Sequence, residues 1–248
     1  MTQPSTNGGT PASSGRTPAQ GNRLDPWYDV YADRAHNLRA SEIRALFSVV
    51  SRPEVVSLAG GMPNLKALPL DRLAASAEKL IRNHGAQAMQ YGSGQGWEVL
   101  RERITEVMGY DGIVGADPDD VVVTTGSQQA LDLVTELFVN PGDVILAEAP
   151  SYVGALGVFR ARQADIVHVP MDENGIIPEA LVETIRDVRA SGRTIKFIYI
   201  IPNYHNPAGV TLSAERRPII AEICLREHVL IVEDNPYGLL GFHNDPLP

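Results

Sequence analysis

The sequence holds a single cysteine, Cys224, in an apolar stretch. No disulfide can form within the chain, and a reducing compartment is the simple expectation. Lysine is scarce as well: Lys66, Lys79 and Lys196 are the only three. No apolar run approaches the roughly 20 residues of a membrane span, and the N-terminus has no apolar signal core. A cytoplasmic protein without a membrane partner is expected. Positive charge is in deficit, with 21 Lys and Arg against 30 Asp and Glu and a net charge of −9. That balance argues against nucleic acid as a main partner, although a local pocket for a phosphate stays compatible with it. Residues 1–23 contain no leucine, isoleucine, valine or aromatic residue. Such a stretch cannot offset its ordering entropy, so it is expected to be a disordered tail. It is also too poor in apolar residues for a winged-helix DNA-binding domain.

What is present is a chain patterned for order from Leu24 onward. Residues 24–95 read as an N-terminal helical segment and part of a small domain. Ser41–Val50 has Ile43, Leu46, Phe47 and Val50 on one helical face, with Ser41 as N-cap. Gly60-Gly61-Met62-Pro63 is a turn. Leu70, Leu73, Ala77, Leu80 and Ile81 have helical spacing, as do Leu100, Ile104, Val107 and Met108. A glycine-rich loop, Tyr91-Gly92-Ser93-Gly94-Gln95-Gly96, lies between those two helices. From there to residue 248 the pattern becomes regular. Strands are predicted over Val121–Thr125, Val144–Glu148, Asp165–Val169, Lys196–Ile201 and Val229–Glu233. Helices are predicted over Ser127–Val139, Tyr152–Arg162, Pro178–Ala190 and Ser213–Glu227. Strands alternating with helices imply an α/β fold, a mostly parallel sheet with helices on both faces. In such a sheet ligands bind beyond the carboxyl ends of the strands.

Four of those ends carry polar or turn-forming sequences. Thr125-Gly126-Ser127-Gln128-Gln129-Ala130 offers the free N–H groups of a new helix plus two side-chain donors, an anion site. Equally, Ser127 is a plain N-cap. Tyr152, in Ala149-Pro150-Ser151-Tyr152, can stack on a planar ring, or pack as a half-buried aromatic. Pro202-Asn203-Tyr204-His205-Asn206-Pro207-Ala208-Gly209 holds Asn206 out of helical geometry before a proline, where its amide can project into the crevice. A structural Asn-Pro turn is the other reading, and His205 offers an imidazole that a loop can carry without any catalytic role. Glu233-Asp234-Asn235-Pro236-Tyr237-Gly238 places a carboxylate at the end of a buried strand, where aspartate is scarce unless paired. A turn aspartate before Asn-Pro is the alternative.

Taken together and in order, Thr-Gly-Ser-Gln-Gln-Ala, Ala-Pro-Ser-Tyr, Asn-Pro-Ala-Gly and Glu-Asp-Asn-Pro-Tyr resemble the fold-type I, class I/II aminotransferases, in particular the 2-aminoadipate and aromatic aminotransferase group. The resemblance runs from about Ala40 to Pro248. It implies pyridoxal 5′-phosphate as cofactor, with residues 96–248 as an incomplete large domain that binds it. It also implies a reaction that moves an amino group between an L-amino acid (aromatic, 2-aminoadipate or branched-chain type) and a 2-oxo acid. Asp234 matches the acidic partner of the pyridinium nitrogen. Asn206 and Tyr237 match the pair that hydrogen-bonds the ring's phenolic oxygen, and Tyr152 the residue stacked on the ring. Ser127 and Gln128 match the phosphate-cradling turn. Tyr91 matches a tyrosine that reaches the phosphate in the neighbouring subunit, which implies a homodimer. Without the resemblance, Tyr91 reads as a loop aromatic packed on the helix that starts near Trp97. Gly61 matches a backbone position lining the substrate pocket. Arg44 matches a helix arginine that contacts substrate in some relatives, although a solvated helix-face arginine reads the same.

The family's lysine, which holds the cofactor and moves the proton, follows the Asp-x-x-Tyr segment in a Ser-x-x-Lys motif. None of the three lysines here has that context. The phosphate arginine beyond it, the two strands that insert beside Val121–Thr125, and the C-terminal domain are also outside these residues. The expectation is therefore an inactive, truncated or partial gene product, with a gap beside Val121–Thr125. The alternative is a non-catalytic remnant that keeps affinity for the cofactor or for phosphate. An aminotransferase-like sensor half of a transcription regulator fits less well, since no DNA-binding domain is present.

Overall fold

A computed structural model describes residues 25–36, 54–56 and 65–242. The predicted tail and the Ser41–Val50 helix lie outside the described residues, as do Gly61 and Arg44. Two compact units divide the chain, Met1–Leu38 and Arg39–Pro248. In the first, a 3-10 turn at Tyr28–Val30 precedes a one-turn helix, α1 (Asp33–His36). The Tyr28 ring packs 4.6 Å from that of His36, and the Tyr31 hydroxyl donates to Asp25 Oδ2 at 2.6 Å.

The second unit is built on a five-stranded sheet: β1 (Val144–Ala149), β2 (Asp165–Asp172), β3 (Gly175–Ile176), β4 (Ile195–Ile200) and β5 (Leu230–Glu233), in the order β3-β2-β1-β4-β5. All neighbours are parallel except the short β2–β3 hairpin. The described helices are α2 (Leu70–Ala88), α3 (Glu98–Tyr110), α4 (Ser127–Phe138), α5 (Val153–Ala161), α6 (Pro178–Ala190) and α7 (Arg216–Arg226). Strand side chains alternate between two apolar layers, as the period of 2 requires. Val144, Leu146, Ile198 and Ile200 point into one layer with Leu181, Ile185 and Val188 of α6 and Ile220, Ile223 and Cys224 of α7. Ile145, Ala147, Phe197 and Tyr199 point into the other with Leu131 of α4 and Ala155, Leu156, Val158 and Phe159 of α5. Both faces being covered explains why β1 and β4 read as near-continuous apolar runs. Burial pushes the Cys224 thiol up to about 11, which keeps it protonated.

One predicted strand is not one. Val121–Thr125 is not assigned to any strand; it follows a 3-10 turn at Pro118–Asp120 and leads into α4. A strand exists only through pairing. The segment's one backbone bond to another part of the described chain is Val123 N–H to Gln95 O, 2.7 Å, within the glycine-rich loop. Gly96, at φ +103°, is required there. A Cβ on it would lie 2.6 Å from the Val123 side chain. The hairpin strand β3 has no counterpart among the predicted strands. Arg216 closes it, with two hydrogen bonds to the Asp172 carboxylate at 2.6 and 2.8 Å and one to Gly175 O at 3.0 Å. Helix α7 begins at Arg216 rather than Ser213, and the Ser213 side chain meets the Arg216 N–H at 3.4 Å.

Candidate functional site

Because β1, β4 and β5 are adjacent and parallel, their carboxyl ends lie side by side. Beyond them come Ser151-Tyr152, the 202–209 loop and the Asp234–Gly238 turn. Asp234 is fixed twice. Its N–H bonds Ile200 O at 2.9 Å, and its Oδ2 accepts from the Tyr199 hydroxyl at 2.7 Å. Tyr199 is fully buried, edge-on to Phe159 with centroids 5.4 Å apart. Burial first, then the Asp234 carboxylate, drive its phenol well above the usual range, so it stays protonated and donates to that carboxylate. No hydrogen bond among the described residues reaches Asp234 Oδ1, so the half-buried carboxylate keeps one oxygen tied and one open.

The next residue is held from three sides. Asn235 Oδ1 accepts from Asn203 Nδ2 and from Gly238 N–H, each at 3.0 Å, and Asn235 Nδ2 donates to Asp111 Oδ2 at 2.8 Å. Asn203, 3% exposed, in turn accepts from Arg217 Nη2 at 2.7 Å. Gly238 has to be a glycine for this arrangement. A Cβ would lie 2.7 Å from Asn235 Oδ1 and 2.9 Å from Asp111 Oδ1. Tyr237 caps the short 3-10 turn that follows, half-buried.

The 202–209 loop is locked by a carboxylate that the strand-end motifs do not single out. Glu148, 1% exposed at the end of β1, accepts from Ile201 N–H at 2.8 Å through Oε2. The same oxygen lies 3.0 Å from His205 Nε2, a close polar contact out of line for a hydrogen bond. His205 Nδ1 accepts from Ala208 N–H at 3.2 Å. With 2% exposure, His205 holds the loop together and is not placed as a solvent-facing base. Asn206, between those two anchors, is half-buried. Glu148 is legible in the sequence as a polar residue closing an apolar strand, a placement that demands partners.

Helix α4 opens at Gly126, φ +80°, which takes the N-cap position with no side-chain cap bond. Ser127 is therefore the first helical residue and not the cap. The helix N-terminus is left with the free N–H groups that favour an anion. Gln128 Nε2 reaches Gly154 O at 3.4 Å, and the Tyr152 ring folds over Gly154, where a Cβ would sit 2.4 Å from its ring carbon. The structure thus brings Gln128 and Tyr152 together at one end of the sheet, with the orphaned, buried Ser151 Oγ beside them. Tyr91 is fully exposed and does not pack on Trp97's helix. It lines a separate concavity of about 570 Å³ between α2 and α3. A second, about 520 Å³, lies between α3 and the 236–240 turn. Neither is lined by Asp234, Asn206 or Tyr152.

The three lysines lie elsewhere. Lys196 is at the amino end of β4, 3.3 Å from Asp143; Lys79 is on α2; Lys66 is in the turn before it. Among the described residues no cluster of His, Cys, Asp or Glu is placed to hold a metal ion, and no helix is long and apolar enough to cross a membrane.

Comparison with known proteins matches residues 53–247 to the family described as "Aminotransferase class I and II". The chain is 37% identical over 217 residues to aromatic-amino-acid aminotransferase 1 of Thermococcus litoralis, covering 88% of this chain and 52% of that protein. The kynurenine aminotransferase of Pyrococcus horikoshii, solved in complex with PMP, superposes with a TM-score of 0.84 at 34% identity, over 91% of this chain and 56% of that one. The alpha-aminoadipate aminotransferase of Thermus thermophilus, solved with N-(5′-phosphopyridoxyl)-L-leucine, gives 0.77 at 33% identity, over 90% and 53%. The chain spans about half the length of the curated relatives it matches.

Proposed function

The chain belongs to the class I and II aminotransferases, and on that premise we propose that its strand ends bind pyridoxal 5′-phosphate for transfer of an amino group from an L-amino acid to a 2-oxo acid. The observation that carries this is Asp234, with one carboxylate oxygen tied to Tyr199 and the other open. Beside it, Asn206 and Tyr237 are half-buried and their side chains make no hydrogen bond among the described residues. The cofactor supplies an electron sink for loss of the substrate's α-proton. Asp234 Oδ1 accepts from the ring nitrogen and keeps it protonated. Asn206 and Tyr237 hydrogen-bond the ring's phenolic oxygen. Tyr152 covers one face of the ring. The uncapped start of α4, with Ser127 and Gln128, receives the phosphate, and Tyr91 reaches the phosphate in a second copy of the chain. Gly61 and Arg44, outside the described residues, are assigned to the substrate by the family resemblance alone. By the names of the relatives, the amino acid is of aromatic, kynurenine or 2-aminoadipate type, with branched-chain side chains as a further option.

The positions of the three lysines favour a second point. The 248 residues by themselves hold the cofactor without a covalent link and do not transaminate. Titration with pyridoxal 5′-phosphate, followed by borohydride reduction and peptide mapping, tests both. Saturable binding that D234A weakens at least about tenfold, with no stoichiometric lysine adduct, is the expected result. A stoichiometric adduct with amino transfer would overturn the second point. Absence of any binding would overturn the first.

A further inference from the structure

Every carboxylate has two oxygens and can turn about its Cβ–Cγ bond, so a carboxylate meant to face a ligand must be held in one orientation. In this structure that task falls to a residue outside the strand-end motifs. Tyr199 sits on β4, one strand over from Asp234, with its ring inside the α4–α5 layer and its hydroxyl at the rim. The ring is fixed by Phe159 and the hydroxyl meets Oδ2 at 2.7 Å. The Asp234 backbone is pinned to the same strand through Ile200 O. One oxygen is taken, and the other accepts no hydrogen bond among the described residues. Resting on the cofactor reading above, we propose that Tyr199 is a positioning residue: it fixes which oxygen of Asp234 faces the pyridine nitrogen.

A carboxylate held with one oxygen toward the ring selects the protonated ring nitrogen. Without the Tyr199 hydroxyl that selection weakens, so the cost of losing it is largest where the nitrogen is protonated and shrinks as pH rises through its titration.

The probe is pyridoxamine 5′-phosphate, which has no aldehyde to react with surface lysines, with binding followed by fluorescence between about pH 6 and pH 9 in the full chain. Tyr199→Phe keeps the ring in its slot and removes only the hydroxyl. Affinity should fall about tenfold at neutral pH, the size of one hydrogen bond to a charged group. Competition by inorganic phosphate, which reads only the start of α4, should stay within about twofold, and Tyr199→Phe should have no further effect in the Asp234→Asn background. The Tyr199→Phe loss should be largest at the acid end of that range and shrink as pH rises. If Tyr199→Phe binds pyridoxamine phosphate like the parent, or costs the same without the carboxylate, the hydroxyl only packs and the inference fails. It fails equally if the Tyr199→Phe loss is the same at every pH. Failure of the cooperatively folded parent chain to bind the probe at all overturns the cofactor reading and this inference with it.

Discussion

Helices α6 and α2 are equally readable as amphipathic, yet they end in opposite circumstances. Pro178, Leu181, Ile185 and Val188 of α6 are buried against β2 and β4. On α2 no residue is buried, and Leu73 and Ile81 are 55% and 51% exposed. The same contrast separates α5, with four buried residues, from α3, whose sole buried residue is Arg101. Periodicity specifies a face, but burial needs a second surface to receive it. The sheet from β1 to β5 provides one for α4 to α7. Around α2, α3 and the unpaired 121–125 segment, the described residues do not.

The largest test of that contrast is a cavity in the packed half. Phe197→Ala should cost about 3–5 kcal/mol in denaturant unfolding, whereas Leu73→Ala on α2 should stay within about 0.5 kcal/mol. Equal losses would mean that α2 is packed in solution. Next in size is a paired glycine test. Gly238→Ala forces a methyl against Asn235 and Asp111 and should cost about 1–3 kcal/mol, with weaker pyridoxamine phosphate binding. Gly92→Ala, with open space around it, should be near neutral. Hydrogen exchange should place the β1 and β4 amides at the slow extreme and those of α2 and α3 many-fold faster. Matched rates across the two halves would erase the distinction.

The smallest effect is electrostatic. Hydrogen bonds from Arg216, then the Asn174 N–H, hold the Asp172 carboxyl below its ordinary value of 3.8. Between that value and the lowered one, the unfolded chain binds more protons than the folded one. The contribution is present in full above the ordinary value and disappears as pH falls through the lowered one. Asp172→Asn should therefore flatten the acid limb of the unfolding curve below about pH 4 and leave its shape above that pH unchanged.

The parallel sheet and its covering helices are legible because β1 and β4 are uninterrupted apolar runs and α6 carries an unbroken 3-4 spacing. Val121–Thr125 misleads for the opposite reason. Its Val-Val-Val-Thr-Thr composition suits a strand, but pairing is a long-range property that composition does not contain. The strand-end motifs lead to Asp234, Asn206 and Tyr152. They cannot reveal Tyr199, which reads as one more apolar strand residue until its hydroxyl is placed against Asp234. Nor can they show that His205 faces inward to Glu148, since only the register of β1 against β4 brings those two together.

The sheet order has a temporal side. All five strands, and the turn that carries Asp234, are drawn from one uninterrupted stretch of chain, residues 144–238. β1 to β2, β2 to β3 and β4 to β5 join direct neighbours, and the β3 to β4 connection passes β2 and β1 through α6, so every closure still spans a short stretch of chain. During synthesis, at about 5–20 residues per second, this stretch leaves the ribosome directly after α4, so both layers can close as it emerges. The Tyr199–Asp234 contact is available as soon as β5 docks, without waiting for any later part of the polypeptide.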